Sequence, residues 1–126
     1  MAESANGKRK KILLIEDEQE LSEIILRMLE SFGYEGESVD CARNALQAID
    51  QSNFDLLIID LTLPDANGKD LYEKIIRQKP DYCGKAVFTS GMEISDDLKE
   101  LIRKDKLDFL QKPFSLTNFR SILKRV

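Results

Sequence analysis

The sequence predicts an α/β domain of (βα)5 type, with five parallel strands in one doubly wound sheet. Three observations lead there. Short apolar runs, foremost Ile12-Leu13-Leu14-Ile15 and Leu56-Leu57-Ile58-Ile59, alternate five times with segments of helical periodicity. Runs of this length and composition read as strands buried on both faces, as parallel strands are. Charged residues close these runs: Glu16 and Asp17 after the first, Asp60 after the third, and Lys112 after Phe109-Leu110-Gln111. Parallel strands put their carboxyl ends on one sheet edge. The acids then meet in one crevice, where open α/β sheets hold their ligands.

The elements follow in order. Residues 11–16 form the first strand. The first helix carries Leu21, Ile24, Ile25, Met28, Leu29 and Phe32 on one stripe, and Gly33 stops it. Residues 34–39 form a second strand with little apolar content, which places it at the sheet edge. Asp40 caps the second helix, whose buried stripe is Ala42, Ala45, Leu46 and Ile49, and Asn53 ends it. Residues 55–60 are the most apolar strand and belong at the centre. Pro64, Asp65, Asn67 and Gly68 mark residues 61–68 as a loop. The third helix uses Leu71, Ile75 and Ile76 and ends before Pro80. Residues 85–89 are the fourth strand. Ser95 caps the fourth helix, with Asp96 and Asp97 in its first turn, where the helix dipole favours negative charge. Residues 107–110 are the fifth strand. Ser115 caps the last helix, with Leu116, Phe119, Ile122, Leu123 and Val126 as its stripe.

Bulk composition narrows the classes. At 126 residues the chain makes one domain, read as residues 10–126 after a disordered leader at 1–9. A formal charge of −4 argues against nucleic acid as the direct partner. No apolar stretch is long enough for a membrane span, and no apolar segment follows the basic N-terminus as in a signal peptide. Cys41 and Cys83 are too few for a disulfide scaffold and read as reduced thiols in a cytoplasmic protein.

The converging acids suit a hard divalent cation, most simply Mg²⁺, and the sequence contains no histidine. Asp17, Asp60 and the backbone carbonyl of Thr62 can each give one oxygen, and Glu16 can bind through a metal-held water. Asp60 is the candidate nucleophile, because it ends the central strand at an open loop and carboxylates do form aspartyl phosphates. A cation there would offset phosphoryl charge, Lys112 would add a positive point charge, and Thr89 would offer a hydroxyl.

These residues give the chain its resemblance to the receiver domain of two-component response regulators. Ile12-Leu-Leu-Ile-Glu-Asp-Glu18 resembles the family's acidic pair at Glu16 and Asp17. Asp60-Leu-Thr-Leu-Pro-Asp-Ala-Asn-Gly68 resembles its phosphoacceptor segment. Phe88-Thr-Ser-Gly91 matches the switch hydroxyl at Thr89, and Phe109-Leu-Gln-Lys-Pro-Phe114 the switch aromatic at Phe109 and the lysine at Lys112. The match runs in the family's order and spacing from about residue 10 onward. It implies a flavodoxin-like receiver fold, phosphorylation of Asp60 with Mg²⁺, and a histidine kinase or histidine phosphotransfer domain as donor. It implies a chain that is no dedicated enzyme yet catalyses its own phosphorylation and dephosphorylation. Thr89 and Phe109 would then switch the face of the fourth helix, fifth strand and fifth helix for a downstream effector, with the chain a monomer or a phosphorylation-dependent dimer. The Lys112-Pro113 bond is expected to be cis by the same resemblance.

Taken singly, each residue has an ordinary reading: solvated strand-end acids, a turn aspartate, a strand-end threonine, a surface lysine, a core phenylalanine. These readings must all hold at once at one sheet edge to remove the site. Two rivals use the same fold. A phosphatase-type hydrolase needs a second acid two residues after the nucleophile, where this chain has Thr62. A cofactor binder of flavodoxin type needs a phosphate-binding loop after the first strand, where Glu18-Gln19-Glu20 would repel phosphate. A phosphorylation-independent pseudo-receiver, a pure interaction module, is the remaining alternative; it would normally lack an acid or the lysine.

Overall fold

Apolar runs at residues 12–15 and 56–59 form strands because their side chains are taken up on both faces of a sheet. The computed structural model describes residues 9–126. Residues 1–8 of the expected leader lie outside that range, and Arg9 is exposed and forms an isolated β-bridge. The elements are β1 (Lys11–Ile15), α1 (Gln19–Ser31), β2 (Glu35–Val39), α2 (Ala42–Gln51), β3 (Leu56–Asp60), α3 (Gly68–Gln78), β4 (Ala86–Ser90), α4 (Asp96–Asp105), β5 (Asp108–Gln111) and α5 (Leu116–Leu123), with a 3₁₀ turn at Pro80–Tyr82. The strands form one parallel sheet in the order β2-β1-β3-β4-β5. Five (βα) units and a central β3 are as the sequence predicts, and so is β2 at the edge.

Alternation along each strand splits the core in two. Leu13, Ile15, Leu57, Ile59, Ala86 and Phe88 face α2, α3 and α4. Ile12, Leu14, Leu56, Ile58 and Val87 face α1 and α5, where they meet Ile25, Leu29, Phe119 and Leu123. The strand order reverses between β1 and β3, so a crevice opens beyond their carboxyl ends.

The helix starts show where local sequence decides. Ser95 and Ser115 accept the backbone N–H groups of Leu98 and Asn118, as predicted, and each such cap is worth about 1 kcal/mol. For α2 the expectation fails: Cys41 is the cap residue, its sulfur 3.4 Å from the Asn44 amide, while Asp40 instead accepts the Asn44 side-chain amide. Two stripe residues are also corrected. Ile24 and Leu116 are about half exposed, at 48% and 55%. The buried arc of α1 centres on Ser22, Ile25 and Leu29, leaving Ile24 on its flank. Leu116 opens α5 before that helix reaches the sheet through Phe119 and Leu123. Tyr72, absent from the predicted stripe, is fully buried on α3 and packs edge-on against Phe88. Both cysteines are free.

Candidate functional site

The site is assembled at the carboxyl edge of the sheet. Glu16 follows β1 and is buried, Asp17 beside it is exposed, and Asp60 is the last residue of β3 and buried. One carboxylate oxygen from each lies within 4.8 Å of the others. Lys112, carried just past β5, crosses the edge to reach them. Its Nζ donates to Glu16 Oε1 at 2.8 Å and to Asp60 Oδ2 at 3.1 Å. The other oxygens of these carboxylates accept backbone amides: Glu18 N at 3.1 Å on Glu16, and Thr62 N at 2.9 Å on Asp60.

The pairing has electrostatic consequences. Burial pushes the Glu16 carboxyl above its ordinary range, against the pull of the Lys112 and Glu18 hydrogen bonds, and the neighbouring Asp60 charge adds to the rise. Burial alone would lower Lys112, but its bonds to Glu16 and Asp60 outweigh that and raise its affinity for the proton. Two carboxylates share one ammonium, so the lysine is fully compensated and the acids are not. Asp17 stays outside this pairing, open to solvent. The clustered donors are carboxylate oxygens from Glu16, Asp17 and Asp60, and an all-oxygen set suits a hard cation such as Mg²⁺.

Neighbouring residues hold this geometry. Thr89 sits opposite Asp60 in the β3–β4 register, buried, and its carbonyl accepts the Leu61 amide at 2.9 Å. Phe109 stands one strand further out, half-buried and in register with Phe88. The backbone of Lys112 is tied to Ser90 O at 2.8 Å, and the Lys112-Pro113 bond is cis. Gly68 packs so closely under β3 that a Cβ there would lie 2.6 Å from the Asp60 carbonyl oxygen. Gly91, by contrast, faces open space. The structure thus brings Glu16, Asp17, Asp60, Thr62, Thr89 and Lys112 to one edge, with Phe109 behind Thr89's strand. Two residues with defined contacts here escaped the sequence reading. Ser90 accepts the Met92 amide at 3.0 Å and shapes the loop after β4. Asp65, read only as a turn residue, accepts two amides from α2. The signal for it was the missing acid in the first turn of α2.

The family model for the response regulator receiver domain matches residues 12–124. The chain belongs to the response regulator receiver domain family. Among relatives of this receiver domain, the transcriptional regulatory protein CrdR of Helicobacter pylori is 33% identical over 122 residues, 93% of this chain and 54% of that protein. This receiver domain spans about half the length of the curated relatives it matches. Among solved structures, a CheY-like response regulator receiver domain protein from Methanospirillum hungatei superposes with a TM-score of 0.80 at 26% identity, covering 92% of this chain and 91% of that one. The receiver domain of sensor histidine kinase PA1611 from Pseudomonas aeruginosa gives 0.79 at 26% identity over 92% of this chain and 95% of that one. That structure has a magnesium ion coordinated in its active-site cleft. The chain therefore has the flavodoxin-like fold of two-component receiver domains, and it keeps the acids and the lysine that a phosphorylation-independent module would normally lack. Among the described residues, no helix is long and apolar enough to cross a membrane.

Proposed function

We propose that residues 10–126 act as a phosphorylation switch in which Asp60 takes a phosphoryl group from a phosphohistidine. The donor is a histidine kinase or a histidine phosphotransfer domain, and the setting is cytoplasmic. The observation that carries the reading is the Lys112 ammonium held between buried Glu16 and Asp60, beside open Asp17. An Asp60 oxygen attacks phosphorus, the nitrogen–phosphorus bond breaks, and its electron pair returns to the imidazole ring. Asp17, Asp60 and the Thr62 carbonyl would hold Mg²⁺, with Glu16 reaching it through a water. The bound cation would neutralise phosphoryl charge and keep donor and acceptor in line.

Lys112 then passes its contact from the two carboxylates to a phosphoryl oxygen. Thr89 turns its hydroxyl toward another, and Phe109 moves into the space behind it. The group added carries about −1.5 to −2 charge, and that charge biases the face of α4, β5 and α5 toward an effector. Phe109 has no hydroxyl, so its inward position is held by packing alone. The test is intact mass after incubation with acetyl phosphate and Mg²⁺. One phosphoryl adduct, absent with EDTA and absent in Asp60→Asn, is the expected result. Full labelling of Asp60→Asn would overturn the assignment.

A further inference from the structure

The start of α2 is poorly served by its own sequence. It has no acidic residue in its first turn, and its cap is a cysteine sulfur at 3.4 Å, a weak acceptor. The first N–H groups of a helix need acceptors and favour a negative charge. Asp65 supplies both from 23 residues away: Oδ1 accepts the Ala42 amide at 2.8 Å and Oδ2 the Arg43 amide at 3.0 Å.

Asp65 also stands at the tip of the loop that follows Asp60, and that loop is internally tied. The Leu63 amide donates to the Ala66 carbonyl at 3.2 Å, Thr62 and Asn67 form an antiparallel bridge, and the Gly68 amide donates to the Leu61 carbonyl at 2.9 Å. Leu63 is buried in the same core cluster as Ala42. A loop braced in this way transmits a displacement of its tip to its base. The base holds Thr62, whose amide donates to Asp60 Oδ1 at 2.9 Å and whose carbonyl is a cation ligand in the function proposed above.

We propose that Asp65 is a positioning residue for the cation: its carboxylate clasps the loop after Asp60 onto the N-terminus of α2 and so fixes the Thr62 carbonyl. This rests on the Mg²⁺ reading given above. The clasp joins two segments of the crevice rim, the β2–α2 turn and the β3–α3 loop, through one side chain. Groups that orient metal ligands from behind typically change metal affinity by about 10- to 100-fold when removed. A backbone ligand held by a braced loop belongs at the low end.

The experiment is calorimetric titration with MgCl₂ alone on the full chain, its Asp65→Ala variant and its Ser95→Ala variant. Ser95→Ala removes a helix cap on α4 and touches neither loop, so it controls for lost stability as such. Asp65→Ala is expected to weaken Mg²⁺ about tenfold, with Ser95→Ala within twofold of the wild type. If Asp65→Ala does not fold, Asp65→Asn, which keeps one acceptor, reads the same effect at about threefold. An Asp65 variant that melts earlier yet binds Mg²⁺ like the wild type would make Asp65 a helix cap only and overturn the proposal. Absence of binding heat in the wild type would instead overturn the cation reading, and the clasp's role with it, before any variant is compared.

Discussion

Replacing Asp17 with Asn should make the protein more stable without Mg²⁺ and less stable with it. Asp17 lies within 4.8 Å of both Glu16 and Asp60, and among the described residues the Lys112 ammonium pairs with those two and not with Asp17. Two like charges at that distance repel by about 0.9 kcal/mol in water and about 3.5 kcal/mol at an effective dielectric constant of about 20. Asp17 is exposed, so the aqueous end applies, and the Lys112 charge offsets part of the repulsion from its two neighbours. A net gain of about 1 kcal/mol remains, which for a chain of this length raises Tm by roughly 3–5 °C. Mg²⁺ at about 100 times its dissociation constant stabilises the wild type by about 2.7 kcal/mol, a gain the variant loses with its ligand. Thermal melts in EDTA and in Mg²⁺ should therefore cross. A variant less stable than the wild type in EDTA would refute the repulsion argument. A variant stabilised by Mg²⁺ as fully as the wild type would remove Asp17 from the site.

Three further outcomes follow from packing and charge. Gly68→Ala should cost about 2 kcal/mol in urea unfolding and slow phosphorylation, because its Cβ meets the backbone at Asp60 and Leu61, at 2.6 and 2.9 Å; an unchanged midpoint would contradict the close approach. Tyr72→Phe removes a hydroxyl that donates to Asp105 at 2.7 Å and accepts from the Gly84 amide at 3.1 Å. The loss should be about 1–3 kcal/mol with the urea slope unchanged, and a loss under about 0.5 kcal/mol would show those partners resolvated by water. The amides of Ala42 and Arg43 hold the Asp65 carboxyl below its ordinary value of 3.8. An acid depressed on folding contributes stability above its unfolded value and loses it as pH falls through the folded one. The Tm gap between wild type and Asp65→Asn should therefore narrow as pH drops below about 3.8; a gap constant down to the acid limit of the fold would contradict this.

Most of the architecture was legible because single residues carried it locally. Ile12 to Ile15 and Leu56 to Ile59 could only be satisfied between two layers of helix, and their terminal charges had to face one edge. Ser95 and Ser115 cap helices from within their own turns. Two of the errors share a cause: the deciding partner was remote in sequence. Asp40 looked like the cap of α2 because Asp65, which completes that terminus, cannot be seen in a local window. Tyr72 went unplaced because its hydroxyl answers to Asp105, 33 residues on. Ile24 and Leu116 fell on helical spacing, and spacing gives the direction of a buried stripe without its width. The candidate site was readable as a set of residue types, whereas the Lys112 bridge to Glu16, spanning 96 residues, needed the fold.

The most direct test of the central claim is to locate the phosphoryl group chemically. The chain would be phosphorylated with acetyl phosphate and Mg²⁺ and reduced with borohydride, which converts an aspartyl phosphate to homoserine. Peptide mass spectrometry then finds the altered residue. Homoserine at position 60 alone is the predicted result, and homoserine at position 17 with Asp60 intact would contradict the account.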